Sequence, residues 1–186
     1  MRLPSLRSLN EAAMRKVLIV FVLILLCVLS QAFCIDRMGF GADVASVQDI
    51  FLGHGSFQID LDLRTMVSDE FQIRIPMALT MNQASFLFES GVALVYYPWH
   101  TGPFMGLSVF QFGFSKGSGN LENVISLNEV TVGWSFEFGP GLFIEPSIVI
   151  RDPSGTFSDE YSRIKGEFPC YTTFRARLLF GWYFWR

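Results

Sequence analysis

Residues 57–65 read FQIDLDLRT, and residues 71–81 read FQIRIPMALTM. In the first stretch Phe57, Ile59, Leu61 and Leu63 alternate with Gln58, Asp60, Asp62 and Arg64. In the second, Phe71, Ile73, Ile75, Met77, Leu79 and Met81 share one face, and Gln72, Arg74, Ala78 and Thr80 share the other. A period of two held over such lengths is the mark of a strand with one apolar face. Val67-Ser68-Asp69-Glu70 make a turn between the two. Pro76 cannot donate to a ladder, so it predicts a local bulge.

The same alternation continues outward. Residues 86–97 (FLFESGVALVYY) alternate loosely. Residues 104–114 (FMGLSVFQFGF) are rich in Gly and Phe, and their two faces cannot be told apart. Residues 124–138 set Val130, Val132, Trp134, Phe136 and Phe138 against Glu129, Thr131, Gly133, Ser135 and Glu137. Residues 142–151 set Leu142, Ile144, Ile148 and Ile150 against Glu145, Ser147 and Arg151. The last, about 171–185, sets Phe174, Ala176, Leu178, Phe180, Trp182 and Phe184 against Arg175, Arg177 and Gly181. Residues 40–51 (FGADVASVQDIF) are the weakest candidate and bring the count to eight strands. No helix is needed after the N-terminal segment.

Composition explains why these strands should close on themselves. Of 186 residues, 51% are hydrophobic and 16% aromatic, with 20 Phe. Only 17% are charged, against roughly 25% in an ordinary soluble domain. Mean hydropathy is +0.37. Beyond the N-terminus no window holds the ~18 apolar residues of a spanning helix. A chain with membrane-like composition and no such helix has one spanning solution, a closed β-barrel.

The N-terminus reads as a secretory signal. Residues 17–30, VLIVFVLILLCVLS, follow Arg15-Lys16. As a helix this run is short of the ~30 Å hydrocarbon core. Ser30 and Ala32 place small residues for cleavage after Ala32, so residues 1–32 are expected to be removed. The preceding MRLPSLRSLNEAA is long for such a leader, and Met14 makes a better start. The mature chain would open with a periplasmic segment, 33–39, followed by the barrel, 40–186. It would hold 10 basic and 16 acidic residues, a net charge of −6. That balance argues against nucleic acid as a partner. Cys34 and Cys170 fall at opposite ends of the expected barrel, so no bond between them is expected. Cys34 lies two residues past the cut, but Phe33 before it fits a lipidation signal poorly.

With the N-terminus inside, the connections near 66–70, 98–103 and 139–141 lie at one end and are short. Those at 115–123 and 152–170 lie at the other and are longer and polar, the asymmetry of outer-membrane barrels. Tyr96, Tyr97, Trp99, Phe104, Phe136, Phe138, Trp182, Phe184 and Trp185 gather at the short-turn end, where amphipathic rings favour a membrane interface. The opposite face of the strands would fill the lumen with Asp60, Asp62, Glu89, Glu129, Glu137 and Glu145 against Arg64, Arg74, Arg151, Arg175 and Arg177. An eight-stranded barrel is only wide enough for side chains. These charges should therefore pair into a plug, with a gate of exchanging ion pairs as the other reading of the same residues.

Two resemblances rest on particular residues. Phe180, Trp182 and Phe184 make the final strand similar to the C-terminal signature read by the barrel-insertion machinery, though Arg186 stands where an aromatic is usual. The phrase VALVYYPWHTGPFMGLSVFQFGFSKG (residues 92–117) resembles a recurrent piece of the small eight-stranded outer-membrane barrels of the OmpW and OmpX type. The resemblance implies a bacterial outer-membrane location, contact with outer-membrane lipid and OmpW-like, porin-like passage of small solutes. The alternative is a non-conducting structural or adhesin-like barrel, with loops 115–123 and 152–170 meeting environmental or host ligands. In the longer loop, Phe157 and Tyr161 are expected to be exposed.

The rival fold is a soluble lipocalin-like barrel with its apolar face inward. Three features oppose it: an outward face almost free of charge, aromatics bunched at strand ends, and a C-terminus that is itself a strand. Other chemistry is thin. His54 and His100 fall at opposite ends and cannot share a metal. No phosphate loop, Cys/His cluster or nucleophile–base pair is evident, so neither enzyme activity nor a cofactor is expected.

Overall fold

The computed structural model describes residues 37–46, 55–116, 121–125 and 128–185, the side chains of 116, 121–125 and 185 excepted. The expected leader, its cut, Cys34 and His54 lie outside the described residues. The strands are β1 (Arg37–Asp43), β2 (Ser56–Met66), β3 (Phe71–Asn82), β4 (Phe86–Tyr96), β5 (Gly102–Lys116), β6 (Leu121–Ile125), β7 (Glu129–Phe138), β8 (Leu142–Arg151) and β9 (Phe174–Trp185). All pairings are antiparallel. Consecutive strands pair, except β6 with β7, and β9 returns to β1, which closes the cylinder. β5 pairs with β7 over Gly102–Leu107 and with β6 over Phe112–Lys116. β6 and β7 thus form one interrupted stave, and the barrel is eight-stranded.

Its surface is inverted relative to a water-soluble protein. Asp60, Asp62, Arg64, Arg74, Glu89, Glu145, Arg151 and Arg175 are buried. Phe40, Ile59, Leu63, Leu94, Met105, Leu107, Val132, Ile148, Phe174 and Phe180 are exposed. The apolar face therefore points out. That orientation rules out the lipocalin-like arrangement, in which the same alternation points inward.

Several expectations need correction. β1 starts at Arg37, inside the expected 33–39 segment, and stops at Asp43 rather than 51, where Val44–Ser46 form a 3₁₀ turn. The expected loop 115–123 is largely strand, since β5 reaches Lys116 and β6 starts at Leu121. The β2–β3 register runs unbroken through Asp62 and Pro76, so no bulge forms there. The β3–β4 ladder skips Ile75 and Pro76 without a change of register, and the bulge lies in the β4–β5 ladder. Val92 pairs with Phe110 and Ala93 with Ser108, leaving Val109 extra. The bulge reverses which residues face inward: Phe104 and Gly106 before it, Gln111, Gly113 and Ser115 after it. That is why the two faces of residues 104–114 cannot be read from the sequence.

The largest correction is a helix, α1 (Ser158–Glu167), inside the expected loop 152–170. Asp159 and Glu160 lie in its first turn and Lys165 in its last, matching the helix dipole. Tyr161, Ile164 and Phe168 are spaced along one face. They pack on Leu87 and Tyr171, with Phe157 partly buried against the same cluster. Tyr161 and Phe157 are therefore not exposed contact residues. The apolar stripe is too short to stand out in a polar stretch until its packing surface is known.

Closure depends on small residues at the β1–β9 seam. A Cβ on Gly181 would run into the Phe40 carbonyl and the Phe143 ring. Gly181→Val is expected to prevent β9 from seating on β1 and to abolish the compact, heat-modifiable species on unheated gels. A normal mobility shift in this variant would show that the wall can deform to accept a side chain.

Candidate functional site

The lumen holds two layers of paired charge. Nearer the short turns, Arg64 on β2 and Arg74 on β3 converge on Glu145 of β8. Arg64 Nη1 lies 2.8 Å from Glu145 Oε1, and Arg64 Nη2 lies 3.0 Å from Asp62 Oδ2. Arg74 Nη1 lies 3.0 Å from Glu145 Oε2 and 3.7 Å from Asp62 Oδ2. Two acids thus meet two arginines across the barrel. Arg64 also sits over the Phe143 ring at 4.0 Å and Arg74 over Phe104 at 4.7 Å, contacts that strengthen when desolvated.

Two sequence expectations fail in this layer. Tyr97 is buried rather than lipid-facing, as is Phe104, whose ring packs against it. Arg74 Nη2 donates to the Tyr97 hydroxyl at 2.6 Å, and that hydroxyl donates to Glu145 Oε1 at 3.2 Å. Tyr97 directly follows Tyr96, whose exposed ring packs with Phe71 on the outside. In an alternating chain two adjacent rings cannot share a face. That parity was available in the sequence. Tyr183 is a further lumen residue hidden in the aromatic C-terminus, and its hydroxyl accepts from Gln72 Nε2 at 3.1 Å.

Toward the longer connections, Arg175 Nε lies 3.4 Å from Asp60 Oδ2 and its Nη2 3.8 Å from Asp43 Oδ2. Arg177 Nε lies 3.8 Å from Asp60 Oδ2. Arg151 Nε lies 3.0 Å from Glu129 Oε1, and its Nη2 donates to Gln58 Oε1 at 3.1 Å. Asp43 was missed because its strand was the least regular in the sequence. Glu137 is at the rim, not in this network. It pairs there with Arg37 at 2.9 Å, both partly solvated. A cavity bordered by Asp60, Glu89, Gln111, Glu129, Arg151 and Arg177 measures ≈ 20 Å³, room for about one water.

The segment from Asp152 to Thr173 closes this end. It leaves β8 and enters β9, yet it touches β2, β3 and β4 on the opposite wall. The Cys170 N–H donates to Ser56 Oγ at 3.1 Å, and Asn82 Nδ2 donates to the Glu167 carbonyl at 2.9 Å. The Tyr171 hydroxyl donates to Glu89 Oε1 at 2.7 Å, and the Arg151 guanidinium covers the Tyr171 ring at 3.9 Å. The segment is a lid across the barrel mouth.

Outside, Tyr96, Trp99, Phe136, Phe138, Trp182 and Phe184 are exposed near the short turns. Trp134 stacks on Phe136 at 6.1 Å. The Trp182 indole N–H reaches the Pro140 carbonyl at 3.4 Å. The side chain of Trp185 lies outside the described residues.

No protein-family model matches the chain, and no curated protein matches it. Among solved structures, the crystal structure of Neisserial surface protein A (NspA) is similar over 78% of this chain and 91% of that one. The identity is 13% and the TM-score 0.45. The barrel assignment stands on the strand pairing itself.

The layers should respond unequally to truncation. Arg64→Met leaves Glu145 and Asp62 to share Arg74 in a site without solvent, one buried charge uncompensated, and loss of one partner of a buried pair costs about 3–5 kcal/mol. Arg177→Met removes only a long contact from a less buried side chain and is expected to cost about 1 kcal/mol or less. Equilibrium urea unfolding of the refolded barrel measures both, and equal losses would contradict the layered arrangement. Tyr97→Phe is expected to cost about 1–2 kcal/mol in the same assay, through hydrogen bonds lost from Arg74 and Glu145.

Proposed function

We propose that this chain is an outer-membrane β-barrel that is closed at rest, with the lid bearing α1 as its environment-facing surface. The inverted burial carries this reading: charges inside, and a belt of exposed Phe, Leu, Ile and Val outside. Such a belt has no stable place in water, whereas lipid accepts it. The exposed aromatics near the short turns suit one membrane interface. The OmpW/OmpX likeness of residues 92–117 supports the same placement.

For function, a surface or structural role fits the geometry better than steady conduction. Among the described residues the paired charges and the lid border a cavity of ≈ 20 Å³, far narrower than the channels of larger barrels. Solute passage of the kind the OmpW likeness implies would require both the lid and the upper ion pairs to move.

The chain refolded into detergent or liposomes tests this reading. A heat-modifiable β-rich species without conductance steps in a planar bilayer is expected. Sustained conductance would overturn the closed lumen and favour solute passage. A β-rich protein that stays soluble without detergent would overturn the membrane placement.

A further inference from the structure

Among the described residues the upper lumen carries one more acid than it has arginines. Asp43, Asp60, Glu89 and Glu129 face Arg151, Arg175 and Arg177. Each arginine is engaged by an acid other than Glu89: Arg151 by Glu129, Arg175 by Asp60 and Asp43, Arg177 by Asp60. Glu89 is 3% exposed and forms no ion pair among the described residues. Its hydrogen-bond partner is the Tyr171 hydroxyl, which belongs to the lid.

A second observation stands beside it. Gln111 is 7% exposed, and its Oε1 accepts no hydrogen bond within the protein. In the β4–β5 ladder Glu89 pairs with Gly113 and Gly91 with Gln111. Gln111 is therefore the diagonal neighbour of Glu89 on the lumen face, within reach of a long side chain. Both border the same cavity. A buried acid that makes no ion pair of its own lies beside a buried acceptor without a donor, and one proton on the carboxyl supplies both deficits.

We propose that Glu89 is a proton-binding site, and that the bound proton latches the 152–173 lid shut. With the proton in place, one carboxyl oxygen accepts from Tyr171 and the protonated oxygen faces the Gln111 side. Burial and the neighbouring Glu89 push the Tyr171 phenol well up, so it remains a donor. The other groups around Glu89 are Gln58 and Asp60 on β2, Glu129 on β7, Arg151 on β8 and Arg177 on β9. Loss of the proton sets a buried anion against Glu129 and Asp60, while Arg151 and Arg177, the cations bordering the same space, are already paired with those two acids. Lifting the lid admits water and relieves that repulsion. The closed state thus binds one proton more than the open state, and rising pH shifts the balance toward open by up to about tenfold per pH unit.

The test is cleavage within 152–173 by a broad-range protease on the refolded full chain. The rate is normalised at each pH to that of the heat-denatured chain, from about pH 5 to about pH 9, above the ~4.3 of a solvated glutamate. Wild-type cleavage is expected to rise by up to about tenfold per unit over part of this range. Glu89→Gln, a neutral mimic of the protonated acid, is expected to stay slow throughout. Tyr171→Phe is expected to be cut faster at low pH. A flat wild-type profile, or a Glu89→Gln variant with the wild-type slope, overturns the latch. Should a variant fail to give the heat-modifiable band, infrared spectra of the wild type decide: a protonated-carboxyl C=O band that fades as pH rises supports the site, and its absence overturns it. The lid assay needs neither conduction nor a membrane, so its result is separable from the outcome of the bilayer experiment.

Discussion

A guanidinium cannot stay unpaired inside a barrel this narrow, and that constraint organises the rest of the molecule. Closing eight strands pairs the backbone around a cylinder and leaves two surfaces for side chains. The alternating pattern puts every charged residue of β2, β3, β8 and β9 on one of them. If that surface is the lumen, charges must meet across the barrel axis, because water has little room there. Arg64, Arg74, Asp62 and Glu145 do so from three strands, far apart in sequence. Desolvation alone would make each charge costly, so the arrangement holds only as a set.

The aromatic residues serve two unrelated purposes. Those facing out include a group near the short turns, Tyr96, Trp99, Phe136, Phe138, Trp182 and Phe184. Those facing in, Phe104, Phe143, Tyr97, Tyr171 and Tyr183, shape the lumen and supply faces and hydroxyls to the arginines. Glycine makes this possible at the β1–β9 seam, where Gly41 and Gly181 leave room for the Phe143 ring. The lumen is therefore a mixed core of ion pairs and rings, closer to a packed interior than to a pore.

The lid changes how the longest connection is understood. A polar stretch between two strands reads as an exposed loop, yet α1 and its flanks bury Tyr161, Ile164, Phe168 and Tyr171 against Leu87. The mouth of the barrel supplies the apolar surface that a helix of this length needs, since isolated short helices are marginal in water. The same segment brings Tyr171 to Glu89, which joins the surface of the molecule to its charged interior.

The alternation in 57–65 and 71–81 was enough to determine an antiparallel barrel, and the low charge content to turn its apolar face outward, because a period of two admits only two faces and composition chooses between them. The lumen position of Asp60, Asp62, Arg64, Arg74, Glu145, Arg151 and Arg175 followed from parity alone. Tertiary structure decided what parity cannot carry. The Val109 bulge reversed the faces of β5 midway. Glu137 took a place set by its height along the axis, and α1 formed only against a surface assembled from distant strands. Partner choice among the charges belongs to the same class, since it depends on strand stagger around a closed cylinder. Stagger is a property of closure, and no local pattern of residues records it.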